Sequence, residues 1–172
     1  MHKVGEPPAV WGTTDVTADL YFCESLQHQT ISKVVDKILS LVKCLGLSTR
    51  NVFTETWENG AVLVTIVLEE SHIIFTTYPE KAEGYFVQLD VVLCNFLKNN
   101  YTLTIKLFDR VIEIFKPEFI DHRLITRRGP KPKLVLKGRS KSKRGVKDQA
   151  LLMGLWSEYA NRWMLSCNRT IM

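Results

Sequence analysis

Apolar positions along this chain switch between two spacings, and each spacing predicts an element. Val16, Ala18 and Leu20 alternate with polar neighbours and predict a strand over Val16–Cys23. Ile31, Val34, Val35, Ile38, Leu41, Val42 and Leu45 recur at intervals of mostly three and four, which places them on one face of a helix. Thr30 or Ser32 can cap that helix, and Gly46 can stop it. A strand is expected over Asn51–Trp57, with a turn at Glu58-Asn59-Gly60. Ala61–Leu68 and His72–Thr77 predict two more strands. Tyr85–Cys94 is almost continuously apolar, interrupted by Gln88 and Asp90, and reads as a central strand. Leu103, Leu107, Phe108, Val111, Ile112 and Phe115 predict a second helix that Pro117 ends. Phe119–Thr126 predicts a last strand.

That order of elements implies an α+β fold, a two-layer α/β sandwich with one antiparallel sheet and helices on one face. With 172 residues, 45% of them hydrophobic, one domain can bury a core. No run reaches the roughly 18 apolar residues of a membrane span. Met1–Pro8 lacks the apolar region of a signal peptide. Cys23, Cys44, Cys94 and Cys167 are widely spaced with no Cys-x-x-Cys pair, which argues against zinc and thioredoxin-type chemistry. A cytoplasmic protein with reduced thiols is the expectation.

The net charge of +5 changes the picture only locally. Residues 127–147 hold 10 of the 23 basic residues and no acid, so the rest, 13 basic against 18 acidic, carries −5. The expected organisation is an irregular lead-in over 1–13, a folded body over 14–126, a basic linker over 127–147 and a C-terminal helix over 148–172. The helix is expected from Asp148 as cap and the stripe Leu151, Leu152, Leu155, Trp156, Tyr159 and Trp163. No aromatic residue interrupts the basic segment, which argues against base stacking and hence against a nucleic-acid partner. A solvated segment, or one that contacts the acidic body, fits better.

The chemistry concentrates at Leu68-Glu69-Glu70-Ser71-His72-Ile73. Glu70, Ser71 and His72 are consecutive polar residues where an alternating strand would place only every second one inward. Downstream follow Thr77-Tyr78-Pro79-Glu80, Gly84-Tyr85 and Leu89-Asp90-Val91-Val92-Leu93-Cys94. Read alone, Ser71 satisfies a strand end, Cys94 is a small buried hydrophobe and Trp57 packs beside a turn. Asp90, in an apolar strand, is either a hydrogen-bond anchor or a pocket carboxylate.

Taken together, these segments resemble the bacterial and archaeal S-adenosylmethionine decarboxylase family over about residues 14–126. The resemblance implies that the chain cuts itself between Glu70 and Ser71 and that Ser71 becomes a covalent pyruvoyl cofactor. That group forms a Schiff base with a substrate amine and accepts electrons as carbon dioxide leaves, with no metal. Cys94 falls on the family's catalytic cysteine, a proton donor, if two extra residues lie between Glu80 and Gly84. Trp57 falls where the family has an aromatic that stacks on adenine. His72 is expected to face away from Ser71. The chain departs from the pattern at Thr76, where the family has a histidine that assists processing, and at Leu63 and Val64, where it has a Ser/Thr-Gly pair.

The resemblance implies a decarboxylase of polyamine synthesis acting on S-adenosylmethionine, usually as a homodimer of processed protomers. The departures keep two alternatives open. One is a pyruvoyl-dependent decarboxylase of arginine or ornithine, and the other is an uncut homologue that acts as a binding or regulatory subunit.

Overall fold

The computed structural model describes residues 12–69, 71–80, 84–95, 99–128 and 131–141. Seven antiparallel strands form one sheet, β1 (Gly12–Tyr21), β2 (Thr49–Thr56), β3 (Val62–Leu68), β4 (Ser71–Glu80), β5 (Gly84–Cys94), β6 (Phe119–Arg128) and β7 (Lys131–Lys141). Their spatial order is β2-β3-β4-β5-β1-β6-β7, so β1 lies centrally between β5 and β6. Among the described residues three helices accompany them, α1 (Ser25–His28), α2 (Ile31–Cys44) and α3 (Tyr101–Phe115). The architecture is the expected α+β sandwich.

Alternation divides the sheet into two unlike faces. Val16, Ala18 and Leu20 of β1, Val64 and Ile66 of β3, Ile73 and Phe75 of β4, and Val87, Leu89 and Val91 of β5 are buried together. Leu124 of β6 joins them. The helices cover this face. Phe115 of α3 meets Phe75 edge-on at 5.2 Å, and Phe108 lies 6.5 Å from His122 of β6. The other face carries polar and half-buried apolar side chains and is the open face of the described fold.

Both long helices arise where the apolar spacing predicts them. Thr30 caps α2 by accepting the Lys33 N–H on its hydroxyl. Val34, Ile38 and Val42 are buried, and Gly46 at φ +73° turns the chain away. α3 buries Thr104, Leu107, Phe108, Val111 and Phe115, and ends at Lys116 in the left-handed region just before Pro117.

Two expectations need correction. Gly12 and Thr13 belong to β1 and not to a lead-in, because β5 and β6 extend far enough to pair with them. Residues 131–141, expected as linker, form β7 and pair with β6 along its length, with a bulge opposite Leu124/Ile125. Lysine and proline are common on the outermost strand of a sheet, so this segment looks unstructured by composition alone. Residues 1–11 of the expected lead-in and the expected helix over 148–172 lie outside the described residues. The first compact unit ends at Lys141.

Candidate active site

β3 ends at Leu68, and the Glu69 N–H donates to Ser48 O at 2.9 Å. Arg50 pairs with the Glu69 carboxylate. Glu70 lies outside the described residues. Ser71 opens β4 and pairs with Leu93, which pairs with Thr14. Cross-strand partners share a face, so the Ser71 side chain turns to the helix-covered side. Its Oγ is buried and has no hydrogen-bond partner among the described residues. A polar network gathers at that end. Asn95 Nδ2 donates to Thr14 Oγ1 at 3.2 Å, and the Asn100 N–H donates to Asn95 Oδ1 at 2.7 Å. Thr104 Oγ1 donates to Asn100 O at 2.8 Å.

Cys94 ends β5 one residue beyond Leu93, so its thiol turns to the open face. Val92 is the hub there. His72 and Asp15 are its cross-strand partners, and Cys94 and Asp90 lie two residues to either side on the same strand. Diagonal neighbours on one face lie within reach of each other's side chains. Burial raises the Asp90 carboxyl above its ordinary range, Asp15 and Asp19 push it the same way, and His72 opposes them. Asp15 is 5% exposed. Its Oδ2 accepts from Arg127 Nη2 at 2.8 Å, while Oδ1 has no partner among the described residues. Further along this face Asp90, Asp19, Thr76, Arg123 and Lys137 line a concavity of about 750 Å³.

The expected site residues therefore separate. Ser71 and Cys94 occupy adjoining register positions on neighbouring strands but turn to opposite faces. His72 shares the face of Cys94, away from Ser71 as expected. Thr76 is five residues along β4, about 17 Å from Ser71 at strand rise. Trp57 is 43% exposed and closes the β2–β3 hairpin, its N–H donating to Ala61 O at 2.9 Å. That hairpin end lies beside Thr77, so Trp57 is about 20 Å of strand from Ser71 and is not brought to it within one chain. Of the other thiols, Cys23 is fully buried and burial pushes it up to about 12, which marks it as inert packing.

Residues 14–128 match the sequence model of the S-adenosylmethionine decarboxylase family. The chain belongs to this family. An S-adenosylmethionine decarboxylase proenzyme of Persephonella marina is 33% identical over 113 residues, covering 65% of this chain and 79% of that protein. In fold, the chain resembles the crystal structure of the adenosylmethionine decarboxylase of Aquifex aeolicus. That match has a TM-score of 0.55 at 20% identity and covers 67% of this chain and 90% of the other.

The S-adenosylmethionine decarboxylase match ends where β6 ends, so β7 is an addition to the sheet beyond the matched region. Sequence reasoning did not single out Asp15, Asn95 or Asn100 of this family member. Asp15 follows a threonine pair in an alternating strand, where a lone acid suggests a solvent-facing position. Asn99-Asn100 suggests an ordinary helix start. Their burial becomes visible only once β1, β5 and α3 are assembled. Among the described residues no helix is long and apolar enough to cross a membrane.

Proposed function

We propose that the chain is an autoprocessing, pyruvoyl-dependent decarboxylase that acts on S-adenosylmethionine in polyamine (spermidine) synthesis. The observation that carries this reading is Ser71 at the head of β4. Its hydroxyl is buried and has no partner among the described residues, and it lies beside the strand end that bears Cys94. A buried hydroxyl without a partner is costly in a purely structural serine and suits one that attacks the preceding carbonyl. Membership of a family with a relative named as a proenzyme points the same way.

In this reading Glu70 is the residue upstream of the cut, and Ser71 supplies the atoms of the pyruvoyl group. That group would supply an electron sink for the loss of carbon dioxide from an amine substrate. Ser71 Cα lies in the plane of the sheet, between the helix-covered face and the open face. Cys94 approaches from the open face as the proton donor to substrate carbon. His72 is diagonal to Cys94 on that face, and Asp90 is diagonal to His72 on the far side of Val92. Thr76 lines the adjoining concavity and contacts substrate there rather than Ser71.

The protein works as a homodimer. Leu63, Val67, Ile74 and Val92 are half-buried on the open face, which leaves an apolar band that a second copy would cover. A stacking role for Trp57 then requires the other protomer, since its own Ser71 lies at the opposite end of the sheet.

The test is the intact mass of purified protein. Two fragments are expected, residues 1–70 and residues 71–172, the second lighter by one ammonia than the same fragment headed by serine. Ser71→Ala should stay whole and inactive. A wild-type chain that remains whole on prolonged incubation would overturn the proposal. A cut chain that releases carbon dioxide from arginine or ornithine, but not from S-adenosylmethionine, would overturn the substrate.

A further inference from the structure

The outer strands at the two ends of the described sheet are built differently. β7 carries Lys131, Pro132, Lys133, Lys137, Arg139 and Lys141, and it bulges against β6. Lysine, proline and bulges are devices that keep an edge strand from pairing with another chain. From Asn51 to Thr56, β2 has no lysine, no proline and no bulge. Its basic residue, Arg50, pairs with Glu69 of its own chain. The large hydrophobic side chains that stand exposed among the described residues are Phe53, at 57%, and Trp57. Both belong to β2 and its hairpin.

Backbone hydrogen bonds show which groups of β2 face outward. The Trp57 N–H donates to Ala61 O at 2.9 Å, so odd-numbered residues bond across to β3. Backbone groups alternate sides along a strand, so Val52, Thr54 and Thr56 turn theirs to the outer edge. The Val52 N–H donates to Asn51 Oδ1 at 2.8 Å, a side-chain stand-in for the carbonyl of a neighbouring strand.

This edge is complementary to itself. Identical strands paired antiparallel about a two-fold axis bring one residue opposite its own copy. With Phe53 at that centre, the two rings meet, and each Asn51 amide meets a Glu55 carboxylate that can accept from it. Each Val52 meets a Thr54, and these residues hold the outward backbone groups. Aromatic and β-branched cross-strand pairs of this kind are favourable. Centring on Val52 or Thr54 instead sets Phe53 against Asn51 or Glu55, and centring on Glu55 opposes two carboxylates.

We propose that β2 is a self-association edge, on which β2 of a second copy adds antiparallel with Phe53 facing Phe53, so that two sheets become one. A pair of eight-residue strands falls at the small end of specific interfaces, below roughly 1,200 Å², so the association is weak and grows with concentration. It uses the strand edge and not the open face, so it adds to whatever particle the open face forms. It does not depend on the decarboxylase reading.

The test is sedimentation of the purified full-length protein from about 5 to about 500 μM, where weak association becomes visible. Wild type should show a heavier species that grows with concentration. Thr54→Pro removes an outward N–H, a change that an edge strand tolerates. It should abolish the heavier species and keep the wild-type circular dichroism. Cysteines read the register, in a background where the exposed Cys44 is replaced by Cys44→Ser. Phe53→Cys should form an intermolecular disulfide about tenfold or more faster than Glu55→Cys, because only a residue opposite its own copy comes within disulfide reach of it. If Thr54→Pro fails to fold, the two cysteine variants decide. Equal bridging by both would overturn the proposal, as would a heavier species that Thr54→Pro leaves intact. Purified wild type with no heavier species at the highest concentration would overturn it too, and would leave the edge to a strand of a different protein.

Discussion

Cys94 and Ser71 are one register step apart yet turn to opposite faces, so the proposed self-cutting and the proposed proton donation should be separable by mutation. Cys94→Ala leaves the Ser71 side untouched. It should cut normally and then turn over at least a hundredfold more slowly, the usual scale for losing a positioned proton donor. A Cys94→Ala chain that neither cuts nor turns over would show that the thiol serves processing too. Arg127 presents a second case. It partners a carboxylate that is 5% exposed and has one oxygen with no partner among the described residues. Arg127→Ala should destabilise by about 2 kcal/mol or more, while Asp15→Asn costs less, because it removes the charge along with the need to pair it. Urea unfolding of both variants measures the difference. Ser71 and Cys94 stand out in the sequence as candidates because they sit in a spaced motif. Asn100 and Asp15 do not, because nothing in a local window reports that a side chain has lost its solvent.

At the scale of elements, what was legible follows the clarity of the period. α2 and α3 stood out through apolar residues three and four apart, and β1, β3 and β5 through alternation or continuous apolarity. β7 was hidden by Pro132, Gly138 and its lysines, although Leu134-Val135-Leu136 lies within it. Gly138 has a specific task there. A Cβ at that position would lie 2.8 Å from His122 Cε1, and His122 is 7% exposed in a packed layer. Gly138→Ala should therefore lower stability by about 1–3 kcal/mol, seen as a fall in Tm. α3 holds a second device in Asp109, whose carboxyl burial pushes up to about 6, with Glu113 adding in the same direction. The folded state then binds the proton more tightly than the unfolded chain does. Stability from this group is full below about pH 4 and is lost as pH rises toward 6. Asp109→Asn should gain about 1–2 kcal/mol at pH 7 and almost nothing at pH 4, by denaturant titration at the two values.

For the whole molecule, the proposed homodimer rests on the open face. Ile74→Asp places a charge in its apolar band, away from the helix-covered core. It should convert a dimer to a monomer by sedimentation while the circular dichroism stays unchanged. A wild-type protein that sediments as a monomer would remove the dimer from the proposal. The strand order has one more consequence. A cut before Ser71 leaves β1, β2 and β3 on one piece and β4, β5, β6 and β7 on the other. The sheet, however, seats β1 between β5 and β6, and β3 against β4. The two pieces are thus woven through one another, and neither owns a complete core. Severed, the protein should travel as a single particle through any non-denaturing column. Once unravelled, its halves would have to find each other again. Refolding of the mature protein would then slow on dilution, whereas the uncut Ser71→Ala chain would recover at a rate independent of concentration.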